Sequence, residues 1–400
     1  VDWLNDAPGG EKFDLASNLL SITFPYLWFI SFAALSGAVL NTMGRFAVAA
    51  FTPVLLNVAI IGMAIFGAPY TESPAHALAW GVFLGGLIQF LFQIPFMYKA
   101  GMLVKPKWAW HSEGVSKIRK LIVPALFGVS VTQINLLLDT VIASFLITGS
   151  ISWLYYADRL LEFPLGLFGI GIATVILPSL SKLHSKNNPV EFSATIDWGL
   201  RVVSFFGWPA LAGLMVLAQP IIMVLFMRGE FDQQTVLHVS MALFAYLSGL
   251  LSFMFIKILA PGYYARQDTK TPVKIGIVAM VSNMVFNLML APFIGYVGLA
   301  LATTLSATLN AWLLYRGLKT SGVYEVSTKT LFFIGKLVLS AAVMAGVVYQ
   351  LSADFDTWLA MSFLQQVQQL SICITLGIVS YLLMIALLGI RLNDFKVIKE

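Results

Sequence analysis

The sequence predicts an all-α polytopic membrane protein, and three observations carry that prediction. Hydrophobic residues make up 59% of the 400 and charged residues only 11%, at a mean hydropathy of +0.86, against about 25% charged in an ordinary soluble domain. The apolar residues gather into long continuous runs separated by short polar stretches, not into the stripes of amphipathic surface helices. The basic residues fall almost wholly on alternate connections, as positive-inside topology requires. A membrane barrel would instead show short strands alternating polar and apolar.

Runs able to cross about 30 Å of hydrocarbon, roughly 20 residues each, cover 15–42, 51–69, 76–98, 121–147, 152–180, 198–226, 236–260, 272–293, 296–318, 330–351 and 367–390, eleven spans in all. The first follows the acidic, turn-rich residues 1–14 and contains Pro25, which frees a backbone carbonyl and bends the helix. The second is entered through Arg45 and Pro53. The third begins Ala77-Leu78-Ala79, and its residues 77–89 align without gaps on 298–310, in the ninth. Because the eighth is likewise entered through Arg266 and Pro272, two parallel repeats are expected. The basic connection 99–120 then separates the three helices of 15–98 from six more over 121–318. Of these, the fourth span carries Pro124 and Asp139, the fifth Asp158, Arg159 and Glu162 just before Pro164, and the sixth Pro209. In the seventh, Lys257 lies about one turn from the end, within snorkelling reach of the interface. Asn283, Asn287 and Pro292 mark the eighth, Thr303 the ninth. The tenth and eleventh form a terminal pair over 330–390, and the sole cysteine, Cys373, lies in the last, which excludes a disulfide framework or a CxxC motif within the chain.

With the loop 99–120 cytoplasmic, strict alternation places 20 of the 24 Lys and Arg and seven acidic residues on that side, a net +13; the other side holds Lys12, Arg228 and nine acidic residues, a net −7. The formal charge of +5 therefore reports orientation and no nucleic-acid partner. The same alternation puts the tail 391–400 in the cytoplasm and residues 1–14 outside as an external loop. As the chain starts with neither Met nor a signal peptide, an N-terminal truncation that removes an odd number of spans is expected.

Charges near the middle of a membrane helix cost about 2.5–3.5 kcal/mol each on insertion scales and usually face a partner or a wet cavity. Asp158 and Glu162 are spaced i,i+4 and Arg159 and Glu162 i,i+3, so the guanidinium can pair within its own helix. One reading is a cavity wall offering Arg159 to an anion such as a phosphate or pyrophosphate, which Arg binds bidentately; the other is an ion-pair triad that locks helices together. Asp139, with Thr132 and Asn135 on its face, joins Asn283, Asn287, Thr303 and the Leu299 carbonyl as hard oxygen donors suited to an alkali cation. Interhelical polar glue is the alternative there. No GxSxG, HExxH, Walker A or paired-His pattern appears, and His76, His111, His184 and His238 fall in loops or at span ends, where solvation is the expectation.

Several segments are familiar in sequence: Ile22-Thr23-Phe24-Pro25-Tyr26; Pro53-Val54-Leu55-Leu56-Asn57; Trp153-Leu154-Tyr155-Tyr156-Ala157-Asp158-Arg159-Leu160-Leu161-Glu162-Phe163-Pro164; Leu177-Pro178-Ser179-Leu180-Ser181; and Leu259-Ala260-Pro261-Gly262-Tyr263-Tyr264-Ala265-Arg266-Gln267-Asp268-Thr269-Lys270-Thr271-Pro272. Over essentially its whole length the chain resembles the MurJ (MviN) family of lipid II flippases, within the multidrug/oligosaccharidyl-lipid/polysaccharide exporters. The resemblance implies a two-lobed flippase fold of fourteen helices, of which eleven are present here, with the C-terminal pair forming a groove for the lipid tail. It implies a monomer in the bacterial inner membrane that flips lipid II by alternating access for cell-wall synthesis, with no covalent chemistry. Arg159, Glu162, Asp158 and Ser152 match family cavity positions that bind substrate. Asp139, Asn283, Asn287, Leu299 and Thr303 resemble a monovalent-cation site, with Na+ the coupling ion, and no other cofactor is implied. A flippase for another polysaccharide lipid, or a membrane glycosyltransferase using Asp158 and Glu162, are the alternatives.

Overall fold

The computed structural model describes residues 10–103 and 112–391. Every regular element among them is helical: α1 Gly10–Thr23, α2 Tyr26–Thr42, α3 Phe46–Gly62, α4 Pro74–Lys99, α5 Glu113–Ser144, α6 Ser150–Pro164, α7 Gly171–Ser185, α8 Pro189–Phe226, α9 Gln233–Leu247, α10 Leu250–Tyr264, α11 Lys270–Thr320, α12 Thr328–Leu351, α13 Phe355–Ala360 and α14 Phe363–Leu387. The chain forms two compact units, 1–116 and 117–400, dividing inside the basic connection 99–120. Eight described helical stretches are long and apolar enough to cross a membrane, nine if α9 and α10, bent by 41° to one another, count as one broken span. Their outward faces are bare hydrocarbon: Phe66 is 74% exposed, Leu387 81% and Phe293 86%, a liability in water but the expected surface in lipid.

In the first unit Pro25 separates α1 from α2, because its ring clashes with the carbonyl four residues back and it has no N–H to donate. Helix begins at Gly10, inside the stretch read from sequence as an external loop; Asp14 there puts negative charge near the positive end of the helix dipole. Residues 1–9 of that loop, His111 and most of the cytoplasmic tail lie outside the described set. Helix α4 packs against α3 through Gly81, where a Cβ would come within 2.9 Å of the Ile60 Cα, a small-residue contact of the kind that holds membrane helices together. Two glutamines add polar anchors: Gln89 Nε2 donates to the Thr52 carbonyl at 3.0 Å and Gln93 Nε2 to the Thr52 hydroxyl at 2.9 Å.

In the second unit the core lies where α7, α8, α9 and α10 meet, around the fully buried Ile176, Ile196, Leu243, Leu250 and Ile258. After Pro164, α6 widens into a π-helical turn over Leu165–Ile170 before α7 resumes. Sequence shows 236–260 as one span, but Ser248 and Gly249 divide it; the Thr304 hydroxyl donates to the Ala245 carbonyl at 3.0 Å beside the break, and a Cβ on Gly249 would lie 3.1 Å from the Thr304 Cα. Helix α11 has 51 residues, yet it reverses at Gly295, whose φ of 59° and ψ of −139° suit only glycine. Its two halves lie side by side, since the Asn283 side-chain oxygen, in the amide orientation that satisfies both its ends, accepts from the Thr303 N–H at 3.1 Å across 20 residues. Helix α12 starts at a Ser327 cap, whose hydroxyl oxygen accepts from the Thr330 N–H at 3.1 Å, and α14 at a reciprocal Ser362–Gln365 capping box.

Candidate functional site

Helix α6 divides cleanly into two faces. Trp153, Leu154, Ala157, Leu160 and Leu161 are buried in the core, which turns Ser152, Tyr155, Arg159 and Glu162 outward on the opposite side. Arg159 Nη1 donates to Glu162 Oε2 at 2.6 Å, Arg159 Nη2 lies 3.8 Å from Asp158 Oδ2, and the guanidinium carbon stands 5.0 Å from the centre of the Tyr155 ring. The side chains of Arg159 and Glu162 are 51% and 50% exposed. Among the described residues these ion pairs stay within one helix, so the cluster does not lock helices together. It presents an oriented guanidinium with open space around it, and Ser152 stands two turns away on the same face.

The second group assembles from three segments of the second unit. Asn287 Nδ2, on the first half of α11, donates to Asp139 Oδ1 on α5 at 2.6 Å, and the Asn283 amide, oriented so that both its ends are satisfied, donates to Asn135 Oδ1 at 2.9 Å and Asp139 Oδ1 at 3.3 Å. Asn135 Nδ2 lies 3.4 Å from the other Asp139 oxygen. On the second half of α11, the Thr303 hydroxyl donates to the Leu299 carbonyl at 3.0 Å. Asp139, Asn283, Asn287, Leu299 and Thr303 are thus brought together, a meeting of helices that spacing alone leaves open, while the Thr132 side chain is outside the described set. Asn283 and Asn287 are completely enclosed, at 1% and 0% exposure, and among the described residues none donates a hydrogen bond to Asn287 Oδ1. An enclosed acceptor without a donor, beside one carboxylate, fits a monovalent cation.

A third feature is an apolar groove of about 470 Å³. Helix α12 contributes Met344 and Val348 and α14 contributes Gly377 and Tyr381, while α8 supplies a further wall with Phe205 and Pro209, and Phe163 of α6 reaches it. The α8 wall is tied in by the Tyr381 hydroxyl, which donates to the Phe205 carbonyl at 2.8 Å. Lys257 is exposed, in keeping with snorkelling.

Two polar clusters escape sequence reasoning. His238, expected to be solvated, lies within α9 with its ring stacked 4.0 Å from that of Trp153 and Nδ1 2.9 Å from the Tyr296 hydroxyl; it is a packed, hydrogen-bonded histidine. Asp197 of α8, counted from sequence as one more acidic residue at a span end, is buried and accepts from Tyr324, Ser327, Thr330 and Arg201. Only the 127 to 133 residues separating it from the first three hid it, for no local spacing signals such a pairing.

A family model described as "Lipid II flippase MurJ" matches residues 4–368. The chain is similar to the probable lipid II flippase MurJ of Vibrio cholerae, 60% identical over 400 residues, covering all of this chain and 76% of that protein. Its likeness to the Haemophilus influenzae counterpart is 60% over 397 residues, 98% of this chain and 78% of the other, and to the lipid II flippase MurJ of Burkholderia cenocepacia 42% over 393 residues, 97% and 76%. A solved structure of the lipid II flippase MurJ in an inward closed conformation superimposes with a TM-score of 0.77 at 28% identity, over 94% of this chain and 75% of that one.

Proposed function

The chain belongs to the MurJ family of lipid II flippases, and on that premise we propose how its second unit handles the substrate. The protein is a multi-pass inner-membrane transporter, not an enzyme, and it flips lipid II for peptidoglycan synthesis. In our reading the Arg159 guanidinium takes the pyrophosphate of the headgroup, with Glu162 and Asp158 holding it extended until the anion arrives and Ser152 offering a further hydrogen bond. The prenyl chain rests in the groove between α8, α12 and α14. The observation that carries the reading is the Arg159 face: a charged triad, half exposed, on a helix whose other side is core.

Eleven crossings follow if the Gly295 reversal makes α11 two spans, since 51 residues at 1.5 Å each would reach about 77 Å against about 30 Å of hydrocarbon, and if α5 is counted with α9–α10 and the rest. They stand for eleven of the family's fourteen helices. Positive-inside asymmetry then places the C-terminus in the cytoplasm, and the headgroup crosses by alternating access. Asp139, Asn283, Asn287, the Leu299 carbonyl and Thr303 would hold a monovalent cation, Na+ in this proposal, which would neutralise the buried carboxylate and tie α5 to both halves of α11.

In cells depleted of their own flippase, the protein carrying Arg159→Ala, at normal abundance in the membrane, is expected to leave lipid II on the inner leaflet. Translocation at the unsubstituted protein's rate would sink this assignment of the anion site.

A further inference from the structure

Asp197 lies outside both candidate sites, and nothing above uses it. The residue is 6% exposed. Its Oδ1 accepts from the Tyr324 hydroxyl at 2.6 Å. Its Oδ2 accepts from the Ser327 and Thr330 hydroxyls, both at 2.6 Å, and from Arg201 Nη2 at 3.1 Å. Arg201 Nε also donates to Thr330 Oγ1 at 2.6 Å. A carboxylate offers about four acceptor positions, and here four donors meet them. Three of the donors come from the segment that leaves α11 and starts α12. The Ser327 cap alone would suffice to begin α12, so the remaining bonds do something else: they fix where the root of α12 sits against α8.

That placement matters further along the same two helices. Phe205 of the groove is eight residues beyond Asp197 on α8, about 12 Å, and Val348 is eighteen residues beyond Thr330 on α12, about 27 Å. Helix α12 contains no proline to absorb a bend. A tilt of about 5° at its root therefore carries roughly 2 Å to Val348, by the 1.5 Å rise per residue. No slack exists there, because a Cβ on Gly377 of α14 would already lie 2.8 Å from Val348 Cγ2.

We propose that Asp197 is a positioning residue for lipid-tail recognition: through Tyr324, Ser327 and Thr330 it sets the seat of α12 on α8, and so the width of the apolar groove that takes the prenyl chain. It does not touch the substrate. The inference rests on the groove being the tail site.

The test compares two ligands on the purified protein in nanodiscs: lipid II with its full polyprenyl chain, and the same headgroup on a chain too short to fill the groove. With Asp197→Asn, which sets an NH2 either against the Tyr324 hydroxyl or against Ser327, Thr330 and Arg201, affinity for the long-chain ligand is expected to fall tenfold or more while the short-chain ligand binds within twofold of its former affinity. Tyr324→Phe, which removes one bond of the four, gives a smaller loss with the same selectivity and decides the matter if Asp197→Asn does not fold. Equal losses for both ligands mean general destabilisation and overturn the proposal, as does an unchanged long-chain affinity. If the unsubstituted protein itself binds both ligands equally, the groove is not the tail site, and the reading beneath falls with the proposal.

Discussion

Replacing Asp139 by Asn separates a cation site from a plain hydrogen-bond cluster. The substitution keeps the volume, and the new amide oxygen still accepts from Asn287 Nδ2, which donates to the carboxylate at 2.6 Å. One charge-assisted bond becomes a neutral one, a loss of about 1 kcal/mol, and the cost of enclosing a charge disappears with it, so stability without the ion changes little. With the ion the difference is large. A ligand at a hundred times its dissociation constant stabilises the folded state by about 2.7 kcal/mol, and at about 2–4 °C per kcal/mol for a domain of this order the unsubstituted protein should melt roughly 5–10 °C higher in saturating NaCl than in choline chloride of equal ionic strength. Asp139→Asn removes the formal charge that opposes the cation and is expected to flatten that response. The assay is thermal unfolding in detergent across a sodium titration. A sodium-dependent rise that survives Asp139→Asn refutes the ligand set.

Other expectations follow from single contacts. Arg159→Ala should leave the melting temperature nearly unchanged, because half-exposed ion pairs contribute at most about 1 kcal/mol, yet weaken lipid II binding about tenfold or more, the loss of one net charge-assisted bond of about 1.5–3 kcal/mol; equilibrium binding and unfolding measured together check both halves. Gly377→Leu should push side-chain atoms into Val348, overpacking at a cost of about 1–3 kcal/mol, and lower long-chain lipid affinity, read by the same binding assay. At the start of α9 the Thr235 hydroxyl and N–H, at 2.7 and 2.8 Å, hold the Asp232 carboxyl below the usual carboxylate range. With the folded pKa depressed, the cap is fully present above the unfolded value of about 4 and is lost as pH falls through the lowered one. The protection factors of the amides in the first turn of α9, taken against their intrinsic exchange rates, should therefore fall in acid, and Asp232→Ala should remove that acid dependence.

The parts of the molecule legible in sequence are those whose signal is local. Asn283 and Asn287 share a face because they are four residues apart, and the apolar stretch 272–318, interrupted at Pro292 and Gly295, is too long for one crossing, so it must turn back. Arg159 and Glu162 are readable for the same reason. The division of α9 from α10 is not, since Ser248 and Gly249 interrupt no apolar run and the break depends on Thr304, far along the chain. Asp197 is illegible for a related reason: a charge at a span end is usually solvated, and only the folded chain shows Tyr324, Ser327 and Thr330 converging on it. The groove at α12 and α14 comes only from the family resemblance, with no signal in the spacing of residues, and the α8 wall depends on packing between helices distant in sequence.

The π-helical turn at Leu165–Ile170 is the one place between α6 and α7 that can absorb a change of length. A wide turn holds one residue more than an α-helical one, so deleting a single residue there would let the segment close into regular α-helix while the chain beyond keeps its facing, and Ile176 and Leu180, both completely buried, would stay in the core. The same deletion within the regular turns of α6 or α7 would instead rotate everything beyond it by about 100° relative to the Arg159 face. Insertions and deletions in relatives of this chain are therefore expected in this turn and in the connections between helices, and not in the regular parts of α6 and α7.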